Sequence, residues 1–254
     1  MLFLVSWECK DTYRCKEFKG GLFKMKNEYI AKRKSVRRFE STPLSSELLA
    51  EIRNKIDSVK PLFPDIAYSI ELIEEKKPSS KSAPYCLFFN SEEKEGAYEN
   101  IGFIGQQLSL YLTSIGLGSY FKVRKPDLSS NSNLPYVICM PFGKPAEPLF
   151  RELSEFDRKE LSEISEGSDI RIEAARLAPS ALNEQNWYFI AEGGCIHCYR
   201  KKPNVVMGFI QNKLNCIDMG IALCHIYEES ETFSYKKLDT APEKKGYIYM
   251  GTVI

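Results

Sequence analysis

Apolar residues recur at helical spacing at Leu48, Leu49, Ile52 and Ile56, directly after the turn signal Thr42-Pro43-Leu44-Ser45. Ser45 or Ser46 is placed to cap that helix, and Glu47 sits in its first turn, where a negative charge meets free backbone amides. Pro61 and Pro64 end the pattern. Residues 66–73 alternate as a strand, and 84–89 form a short, mostly apolar strand suited to a sheet interior. The strongest helical pattern spans 98–114. Ile101, Ile104, Leu108, Leu112 and Ile115 lie near one face, and further apolar residues widen the stripe, which predicts a central, almost fully buried helix. Gly116 follows as its left-handed cap, and Val137-Ile138-Cys139-Met140 is another buried strand. A shorter helical pattern over 29–36 precedes these elements and runs into a basic cluster.

The second half repeats the order. Asp157 is placed as N-cap of a helix beginning Phe156-Asp157-Arg158-Lys159-Glu160-Leu161, and a further helix covers 170–177 until Pro179. Residues 187–191 and 195–199 read as strands. Leu214, Ile217, Ile221 and Cys224 mark a second buried helix, with Gly220 and Ala222 small enough for close approach. A last strand over 246–251 parallels 135–143. This order predicts two structural repeats, 25–150 and 151–254, supported by order and spacing rather than by shared residues.

At 43% hydrophobic and 27% charged residues, the 254-residue chain has the composition of a globular protein with a sizeable core. A net charge of +1 argues against general nucleic-acid binding, so any basic cluster is a local device for one anionic ligand. The eight cysteines are scattered, and reduced thiols are expected. Cys195 and Cys198 fall on opposite faces of a strand-type run, which excludes joint chelation, and no metal site is expected. No stretch reaches the roughly 20 apolar residues that span a membrane, and the expected location is cytoplasmic. Residues 1–24 read as a peripheral extension: Met25-Lys26-Asn27-Glu28-Tyr29 resembles a natural start, and Lys19-Gly20-Gly21 matches a translated ribosome-binding sequence.

Two segments carry candidate chemistry. Arg33, Lys34, Ser35 and Arg37 sit in the basic cluster; one helical turn separates Arg33 from Arg37, and two guanidinium groups beside a hydroxyl suit a phosphate dianion. An ordinary solvated helix end accounts for the same residues. The second segment is Ala178-Pro179-Ser180-Ala181-Leu182-Asn183-Glu184-Gln185-Asn186-Trp187. Pro179 stops a helix, Ser180 and Ala181 let the backbone approach a flat ligand, Asn183 and Gln185 offer uncharged donors and acceptors, and Trp187 anchors the next strand. A polar helix-to-strand loop is the plainer account.

Together these segments resemble the FMN-dependent nitroreductase family over about residues 29–254. The family's Arg-x-Ser-x-Arg motif is matched by Arg33, Ser35 and Arg37. Its Ala-Pro-Ser-x-x-Asn-x-Gln-Pro-Trp motif is matched by Ala178, Pro179, Ser180, Asn183, Gln185 and Trp187, with Asn186 in place of proline. Its Gly-Leu-Gly is matched by Gly116, Leu117 and Gly118, but here it precedes Ala-Pro-Ser. The inverted order resembles the single-chain, tandem branch of the family, in which two fused halves stand in for a homodimer. The first half keeps Arg-x-Ser-x-Arg and has Lys60-Pro61-Leu62-Phe63-Pro64-Asp65 where the Ala-Pro-Ser loop would lie; in the second half, residues 152–159 lack Arg-x-Ser-x-Arg.

The resemblance implies an α+β nitroreductase-like fold with mixed sheets flanked by helices, arranged as a pseudo-dimer. It implies one tightly bound FMN per chain, with NAD(P)H as donor, ping-pong hydride transfer through flavin N5, and a small-molecule acceptor such as a nitroaromatic or quinone. No catalytic side chain is required, and His197 and His225 are expected to be structural. By carry-over, Gly118, Lys122 and Val123 should approach the flavin ring, and Lys144 or Arg151 the phosphate. A monomer is expected, without nucleic-acid or membrane partners. The alternative is a flavin-binding or degenerate, non-catalytic member of the same fold.

Overall fold

Helix α1 (Ser46–Ser58) starts where Ser45 Oγ accepts the Leu48 amide, and buries Ile52. In this computed structural model the described residues are 25–75, 83–126, 130–203 and 208–254, without the Phe209 side chain. The expected extension over 1–24 lies outside them. Strands β1 (Tyr68–Glu74), β2 (Tyr85–Ser91), β3 (Gly118–Ser119) and β4 (Tyr136–Gly143) form an antiparallel sheet in the order β1-β2-β4-β3. Helix α2 (Ala97–Ser114) connects β2 to β3 and is buried nearly all round, as its wide apolar stripe requires. It ends in a Schellman arrangement. Gly116 takes φ +82°, its amide bonds the Thr113 carbonyl, and the Leu117 amide bonds the Leu112 carbonyl.

The second half follows with α3 (Leu161–Ile164), β5 (Ser165–Glu166), α4 (Ile170–Arg176), β6 (Trp187–Glu192), β7 (Cys195–Lys201), α5 (Gly208–Glu229), β8 (Tyr235–Lys236) and β9 (Tyr247–Val253). Its sheet runs β5-β6-β7-β9-β8; β5 pairs parallel and the rest antiparallel. Apart from the added β5, the strand order is the same as in the first sheet, and each sheet has its long buried helix in the same connection. One continuous apolar cluster joins both halves through α2 and α5.

The contact between these two helices is reciprocal. A Cβ on Gly102 would lie 2.1 Å from the Ile217 carbonyl oxygen, and a Cβ on Gly220 would lie 2.0 Å from that of Glu99. Only glycine permits such an approach at either crossing. Each helix also holds a loop of its own half. On α2, Asn100 Oδ1 accepts the amides of Leu62 and Phe63 at 2.8 and 3.1 Å; on α5, the Asp218 carboxyl accepts the Ala181 amide at 3.1 Å. Asn100 and Asp218 stand at matching positions, each just before its helix's contact glycine.

One expected helix is absent and a second starts late. Around 29–36 only a short 3-10 turn forms, Glu28–Ala31; the chain then runs extended, pairing Arg33 with Phe150, Ser35 with Ser119 and Phe39 with Pro145. Val36 is wholly buried against Gly118, where a Cβ would press to 2.6 Å, so tertiary pairing overrides the local helical pattern. Asp157 caps no helix. Residues 156–160 are held out of helical geometry because Arg158 Nη1 donates to Asn183 Oδ1 at 2.7 Å and the Lys159 amide donates to Gln185 Oε1 at 2.8 Å. Helix α3 starts only after Glu160, whose side chain, with that of Glu163, closes a capping box.

The six described cysteines are free thiols. His225 is fully buried between Gln106, 2.7 Å from Nε2, and the Ala174 carbonyl, 2.8 Å from Nδ1. His197 Nδ1 meets Thr252 Oγ1 at 2.8 Å. No helix among the described residues is long and apolar enough to cross a membrane.

Candidate functional site

Because residues 33–37 are extended, Arg33, Ser35 and Arg37 share a face through the two-residue period of a strand rather than through a helical turn. Arg33 is the more constrained. It is 1% exposed, and Nη2 donates to Ser35 Oγ at 3.4 Å. Its Nε and Nη1 are buried without a hydrogen-bond partner. Arg37 is exposed, with its guanidinium 5.5 Å from the centre of the Tyr120 ring.

The facing wall is the loop after α4. Three non-glycine residues there, Leu182, Asn183 and Gln185, have φ of 53°, 58° and 50°. Left-handed backbone at a leucine is strained. The cross-links that hold it are visible: Asp218 accepts the Ala181 amide, Ser180 Oγ accepts the Gln185 amide at 3.0 Å, and Asn183 bridges Arg158 and Asp157. Leu182 projects with 90% exposure at the edge of the site. Trp187 is buried at the start of β6, as expected of an anchor.

Between the walls lie two adjoining spaces. One, of about 530 Å³, is polar and is lined by Lys34, Arg37, Arg151, Arg158 and Asn183 among others. The second, of about 410 Å³, is a largely apolar slot that includes Phe121, Val123, Ile138, Leu214, Ile217 and Ile221. Ser35, Arg37, Pro179, Ser180 and Leu182 line both, so the two are continuous.

The polar end is electrostatically unbalanced. Burial, reinforced by the charges of Arg151, Arg158 and Arg37, lowers Arg33 from 12.5 to about 9; burial and Arg151 lower Arg158 to about 10. Arg158 Nε is a further buried donor without a partner. Among the described residues, none of Arg33, Arg37, Arg151 and Arg158 forms an ion pair within 4.0 Å. Glu155 and Asp157 line this end, but they accept from the Glu152 amide and the Asn183 amide group, respectively. A guanidinium does not surrender its proton under ordinary conditions, so the cluster concentrates positive charge suited to an anion. Asp218, 4% exposed in the floor of the slot, is pushed by burial up to about 8, against the opposing Ala181 hydrogen bond. Burial thus favours its protonated form.

Of the residues singled out in the sequence, Arg33 stands buried behind the polar end; Lys34, Ser35, Arg37, Arg151, Pro179, Ser180, Ala181, Asn183 and Val123 line one or both spaces. Gly118, Lys122, Lys144 and Gln185 do not. Gly118 makes room for Val36. The Lys122 backbone pairs with Cys139, the Lys144 carbonyl accepts the Glu40 amide, and Gln185 is spent inside its own loop on Lys159 and the Asn183 carbonyl. Arg158 and Asp218 were missed. An aspartate flanked by Cys216-Ile217 and Met219-Gly220 in a buried helix was a readable signal; Arg158 was hidden in an apparent helix start.

The family model described as "Putative TM nitroreductase" matches residues 26–230. A solved structure described as a nitroreductase of Thermotoga maritima is 23% identical, aligns over 96% of this chain and 97% of its own, and has a TM-score of 0.63. An FMN-dependent nitroreductase of Clostridium difficile R20291 aligns over 51% of this chain and 93% of its own, at 16% identity and TM-score 0.40. A nitroreductase family protein of Clostridium difficile 630 aligns over 54% and 94%, at 19% identity and TM-score 0.44. No curated protein matches. The Thermotoga likeness covers the whole architecture and fixes the fold as nitroreductase-like, α+β with mixed sheets. Since the family model spans the entry segment, the strained loop and both central helices, the chain belongs to this nitroreductase family.

Proposed function

We propose that the chain is an FMN-dependent NAD(P)H oxidoreductase of the nitroreductase type, holding one FMN in the joined cleft. The observation that carries this reading is the cluster of four arginines with three orphaned guanidinium nitrogens, opening directly onto an apolar slot. A flavin mononucleotide has this polarity: a dianionic phosphate at one end and a flat, largely apolar ring system at the other. Arg33, Arg37, Arg151 and Arg158, with Lys34 and Ser35, would hold the phosphate. Phe121, Val123, Ile138, Ile217 and Ile221, with Pro179 to Ala181 as the cover, would receive the ring and exclude water. Bound there, FMN would supply the redox chemistry between NAD(P)H and an oxidised acceptor such as a nitroaromatic or quinone, in ping-pong order.

The side chains bind, orient and tune. Asp218 fixes the cover loop through the Ala181 amide, and its burial favours the uncharged form in the slot. Asn183 ties the loop to Arg158, which links the cover to the proposed phosphate end. Arg151 stacks on Phe156 at 3.6 Å and donates Nε to the Arg33 carbonyl at 3.1 Å, which fixes the entry segment from behind.

We read the chain as two tandem halves, 25–150 and 151–254, that act as a pseudo-dimer in a monomer. The matching strand order, the reciprocal glycine contacts and the paired roles of Asn100 and Asp218 support this reading. Each cleft wall then comes from a different half, and only one of the two equivalent clefts keeps the arginine cluster.

Visible absorbance of the purified protein, after saturation with FMN and desalting, tests the reading. A flavin spectrum at about one FMN per chain, bleached by NADH or NADPH and restored by a quinone, is expected. Arg37→Ala should weaken FMN affinity by about 1.5–3 kcal/mol. Protein that stays colourless after saturation refutes FMN dependence. Flavin retained but not bleached by either nicotinamide would leave the non-catalytic alternative standing in place of the enzyme.

A further inference from the structure

We propose that a second cavity, bounded by the Phe63 loop, the start of α2, α5 and β7–β9, is a binding site for a small aromatic carboxylate. It encloses about 580 Å³, within the range of small-molecule sites. Nothing in the flavin reading requires it. By the matched strand order it occupies the place that the flavin slot holds in the other half. The slot is lined by Ile217 and the cavity by Glu99, the two residues whose carbonyls touch the opposite helix's contact glycine.

The lining states what it would take. Phe63, Tyr98, Tyr235 and Tyr249 present aromatic surface suited to a planar ring, with Phe63 and Tyr235 centred 6.0 Å apart. Three buried polar atoms there have no hydrogen-bond partner: Arg200 Nε, Arg200 Nη1 and the Tyr235 hydroxyl. Such groups cost free energy until a ligand satisfies them.

The charge balance selects an anion. Lys237 pairs with Glu95 at 2.5 Å, and Lys94 with Asp65 at 2.9 Å, so neither is free. Glu99 is 7% exposed beside Cys216, and burial raises its carboxyl above the usual range while the charge of Arg200 opposes that shift. Lys236 also lines the cavity and, among the described residues, forms no ion pair within 4.0 Å, so the positive charge of Arg200 and Lys236 matches a carboxylate, and the Tyr235 hydroxyl matches a further polar substituent on the ring. A second FMN does not suit the cavity. A single arginine lines it, and in the second half residues 156–160, the stretch with Arg158 and Lys159, are bound to the Asn183–Gln185 loop instead.

Calorimetric titration of the FMN-saturated protein with 4-hydroxybenzoate tests the site, with the flavin absorbance followed in parallel. Saturable binding that leaves the flavin spectrum unchanged is expected. Arg200→Met should weaken it about tenfold or more. Tyr235→Phe, which keeps the ring packed on Gly251, should weaken it severalfold and serves if Arg200→Met fails to fold. Absence of saturable binding overturns the proposal. Binding that is unchanged in both variants, or that shifts the flavin spectrum and is lost in Arg37→Ala, also overturns it by placing the ligand in the flavin cleft. A protein that never takes up FMN yet binds 4-hydroxybenzoate through Arg200 separates this inference from the flavin reading.

Discussion

Replacing Arg33 by methionine should make the flavin-free protein more stable while weakening its hold on FMN. The guanidinium is buried with two unpartnered nitrogens, and burial with three neighbouring arginines lowers it from 12.5 to about 9. At about 1.36 kcal/mol per unit, the folded state carries a penalty of up to about 5 kcal/mol for keeping this charge. The folded value lies below the unfolded one, so the penalty is complete at every pH below about 9 and fades only between there and 12.5. Methionine fills a similar unbranched volume without charge. After the Arg33–Ser35 hydrogen bond is lost, a net gain of about 2–4 kcal/mol remains. For a chain of this size that raises Tm by about 5–15 °C. Thermal melts at low ionic strength, with and without FMN, read both effects. FMN affinity should drop about 10- to 100-fold, the contribution of one charged hydrogen-bonding partner. Sulfate should stabilise the wild-type apo protein more than the variant, because an anion that binds only the native cluster acts by mass action. A variant that melts lower than wild type without flavin and binds FMN equally well would refute the idea that this cluster is built to hold an anion.

Two further perturbations probe buried titrating groups. Asp218 is raised to about 8 from 3.8, so the folded state binds the extra proton, and stability falls as pH rises from 3.8 through 8. Asp218→Asn keeps an oxygen for the Ala181 amide and removes the slope, giving an advantage of about 2–4 kcal/mol at pH 7; parallel denaturation profiles for the two proteins from about pH 5 to 9 would contradict the buried, protonated carboxyl. His225 is lowered by burial from 6.5 to about 3, so its unfolded form takes a proton first, and stability is lost as pH falls from 6.5 toward 3. Wild type should lose about 2 kcal/mol from this group between pH 7 and pH 5, and His225→Gln should lose less, as read from denaturant midpoints at the two pH values.

Where the chain's own period decides the structure, the sequence was legible. The wide apolar stripe of 98–114 became α2 almost residue for residue, with Gly116 as its cap, and the apolar run at 137–140 became the middle of β4. The entry segment was not legible as structure, for a specific reason. Arg33 and Arg37 share a face in a helix and in a strand alike, so the spacing fits both. The choice is made by long-range partners, Phe150 and Ser119, that no local window contains. The same holds for residues 156–160, which have helix-start composition but are bound by the Asn183–Gln185 loop. Most of the motif residues therefore meet around one pair of adjoining spaces while their conformation did not follow, and Arg158 escaped notice because its placement depends on that loop.

The two central helices explain how one chain can hold a cleft on each side of a single core. Gly102 and Gly220 bring α2 and α5 to backbone contact, and the same turns carry Asn100 and Asp218, which hold the loops facing each cavity. Loop position is thus fixed from the helix contact outward, and the chemistry of each cleft is free to diverge in the residues beyond it. On one side the extended Arg33–Arg37 segment adds a cluster of cations; residues 156–160 instead brace the Asn183–Gln185 loop of that same cleft. Arg158 is the clearest mark of that exchange: it belongs to the half that lacks the motif, yet it lines the polar end of the cleft that has it. On the proposed reading of two tandem halves, a scaffold that kept both clefts equal would need both entry segments free, whereas residues 156–160 are bound to the Asn183–Gln185 loop.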